Sequence, residues 1–222
     1  MILKPPKGAM LNRGHPLARG LKGCWLMNEG GGTIVNDLSG NGNTGILSGT
    51  APTWIAGSEG PAIDFPGTNE IITLTNTISL VYPWSISWRH KADATSIFLG
   101  YYNGSANNWL RNDSATSLNL RTTSGASRAV AIPNIVTSGW TTWTVVTDVL
   151  SQAAVYRNGV YVGRMTTIGD LGILVNCVGA GFTSLLYNGQ WSWTMIHKGR
   201  ALSATDIMNL YRSPFAMFEV DL

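Results

Sequence analysis

The chain has 222 residues, and only 12% of them are charged, 15 Lys and Arg against 12 Asp and Glu. A typical soluble domain carries about 25% charged residues; here the difference is made up by 26 Gly, 9 Trp and many Ser, Thr and Asn. Low charge with abundant aromatics excludes disorder over most of the length, no apolar run reaches the roughly 18 residues of a membrane-spanning helix, and a net charge of +3 is too small to specify a nucleic-acid binder.

Residues 1–20 carry Lys4, Lys7, Arg13 and Arg19 among Pro5, Pro6 and Pro16. They lack the apolar stretch of a secretory leader and show no periodicity, so they predict an extended basic arm held only by what it docks against. From Leu21 to the end, short apolar runs alternate with turn residues, which predicts one all-β sandwich over 21–222. Asn-Gly, the pair that accepts positive φ at both centres of a tight hairpin, occurs at Asn41-Gly42, Asn103-Gly104, Asn158-Gly159 and Asn188-Gly189.

Trp84, Ile86 and Trp88 alternate with Ser85 and Ser87 as a strand with one apolar face. Trp143, Val145 and Thr147 alternate with Thr142, Thr144 and Val146, a more buried pattern. Around Asn158-Gly159, a hairpin over Ala153–Arg164 sets Arg157 opposite Val160, Tyr156 opposite Tyr161 and Val155 opposite Val162. Trp191, Trp193 and Met195 are expected to share the next strand's face. One helix follows: Ser203 as N-cap with Asp206 three residues on, Ile207, Leu210 and Tyr211 on one face, and Pro214 as the stop. Cys24 and Cys177 fit no metal or redox spacing and are expected as buried free thiols, with a single long-range disulfide as the alternative.

Taken together, Gly23–Gly32 with Asp37–Asn43, Ala62–Phe65 with Gly67, Trp84–Trp88, Trp140–Gly163 and Gly189–Tyr211 resemble, in order, the laminin-G-like domains of the concanavalin A-like lectin/glucanase superfamily. The resemblance covers roughly residues 21–212. It implies a two-sheet antiparallel jelly roll of about a dozen strands, with members that bind glycans or proteins and some branches that hydrolyse glycosides. With the segment Asn12–Leu21 ahead of it, the chain is similar to stand-alone members common in bacteriophages. Fold alone does not fix function.

Glycoside hydrolysis needs two carboxylates roughly 5–9 Å apart, and the hydrolase branch supplies them from Glu-x-Asp-x-x-Glu. Here none of Glu29, Glu59, Glu70 and Glu219 heads such a motif; only Glu219 has an acid two residues on, Asp221. No Gly-x-Ser-x-Gly elbow is present, and Gly30-Gly31-Gly32 lacks the Lys of a phosphate loop. His15 is expected in a turn of the arm, and His90 and His197 at the surface ends of strands. Such domains often hold a structural Ca²⁺, for which Glu29, Asp37, Asn41 and Asn43 are the candidates; Gln190, Trp191 and Ser192 stand where the family has Ile-Asp-Glu, and an Asx-type turn at Asp37 is the favoured alternative. For a surface glycan, the loop holding Tyr101, Tyr102, Asn103, Asn107, Asn108 and Trp109 has the aromatic and amide composition, although the same aromatics would also suit a strand core. Arg111, Arg121 and Arg128 are too sparse for a nucleic-acid footprint.

The leading expectation is a non-enzymatic virion protein, a capsid decoration or head-spike subunit assembled in the host cytoplasm and homo-oligomeric, for example as a trimer. Its docking arm, for a capsid or other virion protein, is Lys4, Lys7, Arg13, Arg19 and Lys22. Setting these five bases aside leaves 10 against 12 acids, a slightly acidic body behind a basic arm. The alternatives are a lectin-like carbohydrate-binding protein and, least favoured, a glycoside hydrolase.

Overall fold

The computed structural model describes residues 2–48, 52–93, 97–100, 107–114, 116–132, 139–166, 169–182 and 185–219. Two eight-stranded antiparallel sheets face each other. The first, rich in tryptophan, runs in spatial order Val160–Met165, Gln152–Arg157, Thr141–Val149, Trp84–Ala92, Asn188–Lys198, Gly60–Pro66 and Thr53–Gly57, with Leu21–Trp25 also paired to Asn188–Lys198. The facing sheet runs Ser127–Ala131, Ser117–Arg121, Trp109–Ser114, Ile97–Gly100, Ile173–Val178, Ile71–Leu80, Gly45–Ser48 and Ile34–Val35. This is the all-β jelly-roll sandwich with one α-helix among the described residues, as the sequence predicts. No helix among them is long and apolar enough to cross a membrane.

Period-2 alternation builds the inner core. Trp84, Ile86, Trp88, Trp143 and Val145 point between the sheets and pack with Trp25, Phe65, Trp191 and the Ile, Leu and Val side chains of the facing sheet. The serines on the other side of Trp84–Ala92 are not solvated. Ser85 and Ser87 are fully buried; Ser85 Oγ donates to Arg200 O and accepts from Leu202 N, and Ser87 Oγ meets Thr144 Oγ1 at 2.9 Å. A second apolar layer covers this outer face. It is built from Cys24, Leu26, Val146, Trp193 and Met195 of the sheet with Leu17, Ile207, Leu210, Phe215 and Met217 of the terminal segments.

Two registers differ from expectation. A β-bulge at Ser192 sets Trp191 opposite His90 but Trp193 opposite Arg89. The extra residue turns Trp193 and Met195 onto the outer face while Trp191 stays inside. In the hairpin, Arg157 pairs with Val160 and Tyr156 with Tyr161 as predicted, but a second bulge sets Val155 opposite Gly163 in place of Val162. Asn158 and Gly159 both have positive φ, 51° and 80°, as a tight primed turn needs. Asn188-Gly189, in contrast, opens the strand Asn188–Lys198 and is no hairpin tip, while Asn103-Gly104 lies outside the described residues.

The helix is Ala204–Arg212, with Ser203 and Asp206 forming a reciprocal capping box. Ile207 and Leu210 are buried, but Tyr211 is 37% exposed and lies outside the apolar layer. Cys24 and Cys177 are both free and buried. Burial raises the Cys24 thiol pKa well above its usual value, with the nearby Asp37 charge adding to the effect.

Candidate functional site

Residues 2–20 wrap over their own body. Lys4 donates its backbone N–H to Glu59 O at 2.8 Å and its ammonium to Ser192 O at 2.8 Å and to Pro61 O. Met10–Leu11 pairs with Phe218–Glu219. Pro16–Ala18 forms a 3₁₀ turn in which His15 Nδ1 accepts from Leu17 N, so His15 is the turn residue expected. Arg200 donates to Pro16 O and Arg19 O while pairing with Asp206. The expected docking role is therefore corrected for Lys4, whose charge is buried and met by backbone carbonyls. Lys7, Arg13 and Arg19 are exposed, and Lys22 Nζ rests on Asn41 Oδ1 at 3.3 Å.

The predicted loop contributes no open sugar surface among the described residues. Tyr101, Tyr102 and Asn103 lie outside them, and Trp109 is a strand residue only 5% exposed, with the Arg111 guanidinium 4.2 Å above its ring. Asn108 is buried, its Oδ1 accepting from Thr123 Oγ1 and Leu174 N, and Asn107 holds Arg121 Nε and Thr123 O. These amides fasten loops together.

The Ca²⁺ candidates do not fit a cation. Asp37 accepts from the amides of Cys24, Ser39 and Asn43, all at 2.9 Å, which is an Asx-type turn extended by two further bonds. Asn41 and Asn43 donate to Leu21 O and Lys22 O, and Glu29 Oε1 is taken by Asn36. No group of three His, Cys, Asp or Glu among the described residues could hold a metal ion.

His90 and His197 are also corrected. Both are buried, at 1% and 0% exposure, because the chain's terminal segments and the facing sheet close over the strand ends. Burial pushes His90 down to about 3 and His197 to about 4. Both rings are neutral near pH 7, and His197 Nε2–H donates to Leu17 O at 2.9 Å. His90 stacks on Tyr187 and meets Trp191 edge-on inside the core.

Two cavities flank the hairpin formed by Thr53–Gly57 and Gly60–Pro66, and sequence inspection singled out neither. The tip between its strands, Ser58-Glu59, depends on glycine at both sides. Gly60 has φ +123°, and a Cβ on Gly57 would stand 2.9 Å from Ala62 Cβ and from Gly60 O. On one side lies a cleft of about 390 Å³ walled by Gly30, Trp54, Ile55, Ala56, Gly57, Gly60 and Pro61. Trp54 is half-buried, and its indole N–H donates to Gly32 O at 2.8 Å, which fixes the ring and satisfies its one polar atom. Next to Gly30, Glu29 Oε2 is buried without a hydrogen-bond partner.

On the other side of the tip lies a groove of about 350 Å³ lined by Ile2, Ser58, Glu59, Arg89, Tyr211 and Arg212. Glu59 is its hub. Its Oε1 pairs with Arg89 Nε at 3.3 Å, and its Oε2 accepts from Ser192 Oγ at 3.0 Å and Trp193 Nε1 at 3.2 Å. Beneath it, burial lowers the Lys4 ammonium to about 7 in spite of the attraction of Glu59 and Glu29. The Ser192 bulge brings Ser192 and Trp193 within reach of Glu59, a placement that strand alternation alone does not show. Farther along the same sheet, burial and then the neighbouring Asp93 hold Asp64 above the usual carboxylate range, against a hydrogen bond with Gln190.

No protein-family model matches the chain, and no curated protein matches it in sequence. Solved structures do match in fold. Domain 4 of an extracellular GH43 arabinanase from Geobacillus stearothermophilus, in complex with arabinotriose, superposes with a TM-score of 0.66 at 20% identity, over 86% of this chain and 98% of that one. The binding domain of Paraclostridial Mosquitocidal Protein 1 gives 0.67 at 14% identity, over 90% and 53%. The botulinum neurotoxin serotype D ligand-binding domain, in complex with N-acetylneuraminic acid, gives 0.62 at 11% identity, over 88% and 51%. The chain thus spans about half the length of the toxin binding domains and nearly all of the arabinanase domain. What these structures share with the chain is the β-sandwich fold.

Proposed function

We propose that the chain is a non-catalytic, lectin-like carbohydrate-binding module whose sugar-stacking surface is the cleft at Trp54. The observation that carries this reading is the state of that indole: half-buried, held by its N–H on Gly32 O, and bordering an open cleft walled in part by Gly30, Gly57 and Gly60. Sugar rings present C–H faces that stack on aromatic planes, and glycine walls let a ligand approach backbone donors and acceptors closely. Glu29 Oε2 supplies a buried acceptor beside the cleft for a sugar hydroxyl.

The fold shared with an arabinotriose-bound domain of nearly equal extent supports the same reading. The groove's carboxylate, Glu59, is ion-paired to Arg89 and bonded to Trp193, an arrangement suited to holding a surface in place and poorly suited to proton transfer. Attachment to a virion through residues 1–20 has no comparable observation behind it, since Lys4 and Leu17 of that segment are buried against the chain's own body.

The test is a glycan microarray probed with the full chain and with Trp54→Ala. The expected result is binding to a defined set of oligosaccharides, weakened about tenfold or more by the substitution, as loss of a stacking aromatic costs roughly 1–3 kcal/mol. Binding to no glycan, or binding indifferent to Trp54→Ala, would overturn the reading.

A further inference from the structure

The groove on the far side of the Ser58-Glu59 tip has a chemistry of its own. Its cations and donors outnumber its acceptors. Glu59 is already engaged by Arg89, Ser192 and Trp193. Tyr211 and Arg212 reach the groove from the last turn of the helix, and their side chains make no hydrogen bond or ion pair with the described residues. The acid one helical stretch back, Asp206, is not available to Arg212, because it is held by Arg200 at 3.0 Å and by the Ser203 cap. Ser58 Oγ, at the tip itself, is buried with no partner. What is left uncommitted at this rim is therefore a guanidinium and a phenol above a buried hydroxyl, with no carboxylate among the described lining residues free to answer the guanidinium.

Resting on the carbohydrate-binding reading, we propose that the ligand is an acidic oligosaccharide: one sugar lies on Trp54, and the oxyanion of a neighbouring sugar, carboxylate or sulfate, is held in the groove by Arg212 and Tyr211. The two cavities share one hairpin, with Gly57 and Gly60 walling the first and Ser58 and Glu59 the second. A linear glycan crossing the two-residue tip therefore reaches both. A planar guanidinium matches the paired oxygens of a carboxylate or sulfate and forms two parallel charge-assisted bonds with them. Neutral sugar hydroxyls do not supply that charge. Arg89, paired with Glu59, forms the groove's floor and keeps the carboxylate from repelling the incoming anion.

The experiment measures binding of the full chain to matched neutral, carboxylated and sulfated versions of the same oligosaccharides on an array, with Trp54→Ala and Arg212→Gln beside it. Arg212 is exposed, so its substitution leaves the fold intact, which circular dichroism verifies. The expected pattern is a preference for the acidic versions of about tenfold at low salt, abolished by Arg212→Gln and screened by added salt, with neutral binding unchanged by that variant. The carboxylated and sulfated arms report which oxyanion fits. Equal binding of neutral and acidic partners, with Trp54→Ala still damaging, would overturn the acidic-ligand proposal and leave the carbohydrate reading standing. Binding to no glycan in any arm would overturn both. Acidic preference that survives Arg212→Gln would remove Arg212 from the site.

Discussion

The two faces of the tryptophan-rich sheet are built from the same residue types by different means. Between the sheets, Trp84, Trp88, Trp143 and Trp191 pack by simple alternation against strands of the facing sheet. On the outer face, Trp193 is covered by the chain's two ends, and its indole N–H is met by Glu59 from a distant hairpin. The inner face is a property of the strands themselves. The outer layer depends on the chain's two terminal segments, fixed by a few polar anchors: Lys4 on Ser192 O and Pro61 O, His197 on Leu17 O, and Arg200 on Pro16 O and Arg19 O. Breaking the inner face should unmake the sandwich. Breaking the outer one should loosen the termini and disturb the hairpin that carries the two cavities.

The sharpest separation comes from truncating one tryptophan on each face. Trp88→Ala and Trp193→Ala each remove a fully buried indole and should cost about 3–5 kcal/mol in urea unfolding. Only Trp193→Ala should also raise amide exchange in residues 2–20, since that segment belongs to its layer. Equal protection of residues 2–20 in both variants would mean that the outer layer does not depend on Trp193.

Next in size is the pH response. Unfolded histidine titrates near 6.5, whereas His197 is pushed down to about 4 and His90 to about 3 by burial. Below pH 6.5 the unfolded chain therefore binds more protons than the folded one, and stability must fall as pH drops toward 4, by about 3 kcal/mol for His197 alone. Urea midpoints at pH 7 and pH 4 measure it. His197→Gln should flatten part of the slope, and a stability independent of pH over that range would contradict the burial of both rings.

The smallest contrast lies within the basic segment. Lys4→Ala removes two buried hydrogen bonds and should cost about 1–3 kcal/mol, while Lys7→Ala, at an exposed position, should change stability by no more than about 0.5 kcal/mol. Equal effects would return Lys4 to the role of a free docking cation.

These contrasts also show what the sequence can and cannot disclose. Local patterns were enough for the sandwich, the Trp84–Trp88 strand, the Asn158-Gly159 turn and the Ser203–Asp206 capping box, because each depends on neighbours within a few residues. The bulge at Ser192 left no signal in the alternation of Trp191, Trp193 and Met195, and it moved two of the three to the other face. His90 and His197 looked like surface strand ends because the segments that bury them lie far away in the chain. The site was the least legible part. Trp109, in an inviting aromatic and amide loop, is strand core beneath Arg111. Trp54, between Thr53 and Ile55, carries no pattern that marks it, and it borders the open cleft because Gly57, Gly60 and Pro61 of its own hairpin meet Gly30 from an earlier segment there. In the sequence the site leaves one trace, the two glycines that frame the tip Gly57-Ser58-Glu59-Gly60.

In the proposed binding mode Trp54 faces a sugar while the core tryptophans do not. The most direct measurement follows the indole N–H resonances in a ¹H–¹⁵N spectrum as the best-bound array glycan is titrated in. The Trp54 signal, assigned by its loss in Trp54→Ala, should shift progressively and saturably, while those of Trp84, Trp88 and Trp191 stay fixed. A bound glycan that leaves the Trp54 resonance unmoved would contradict the account.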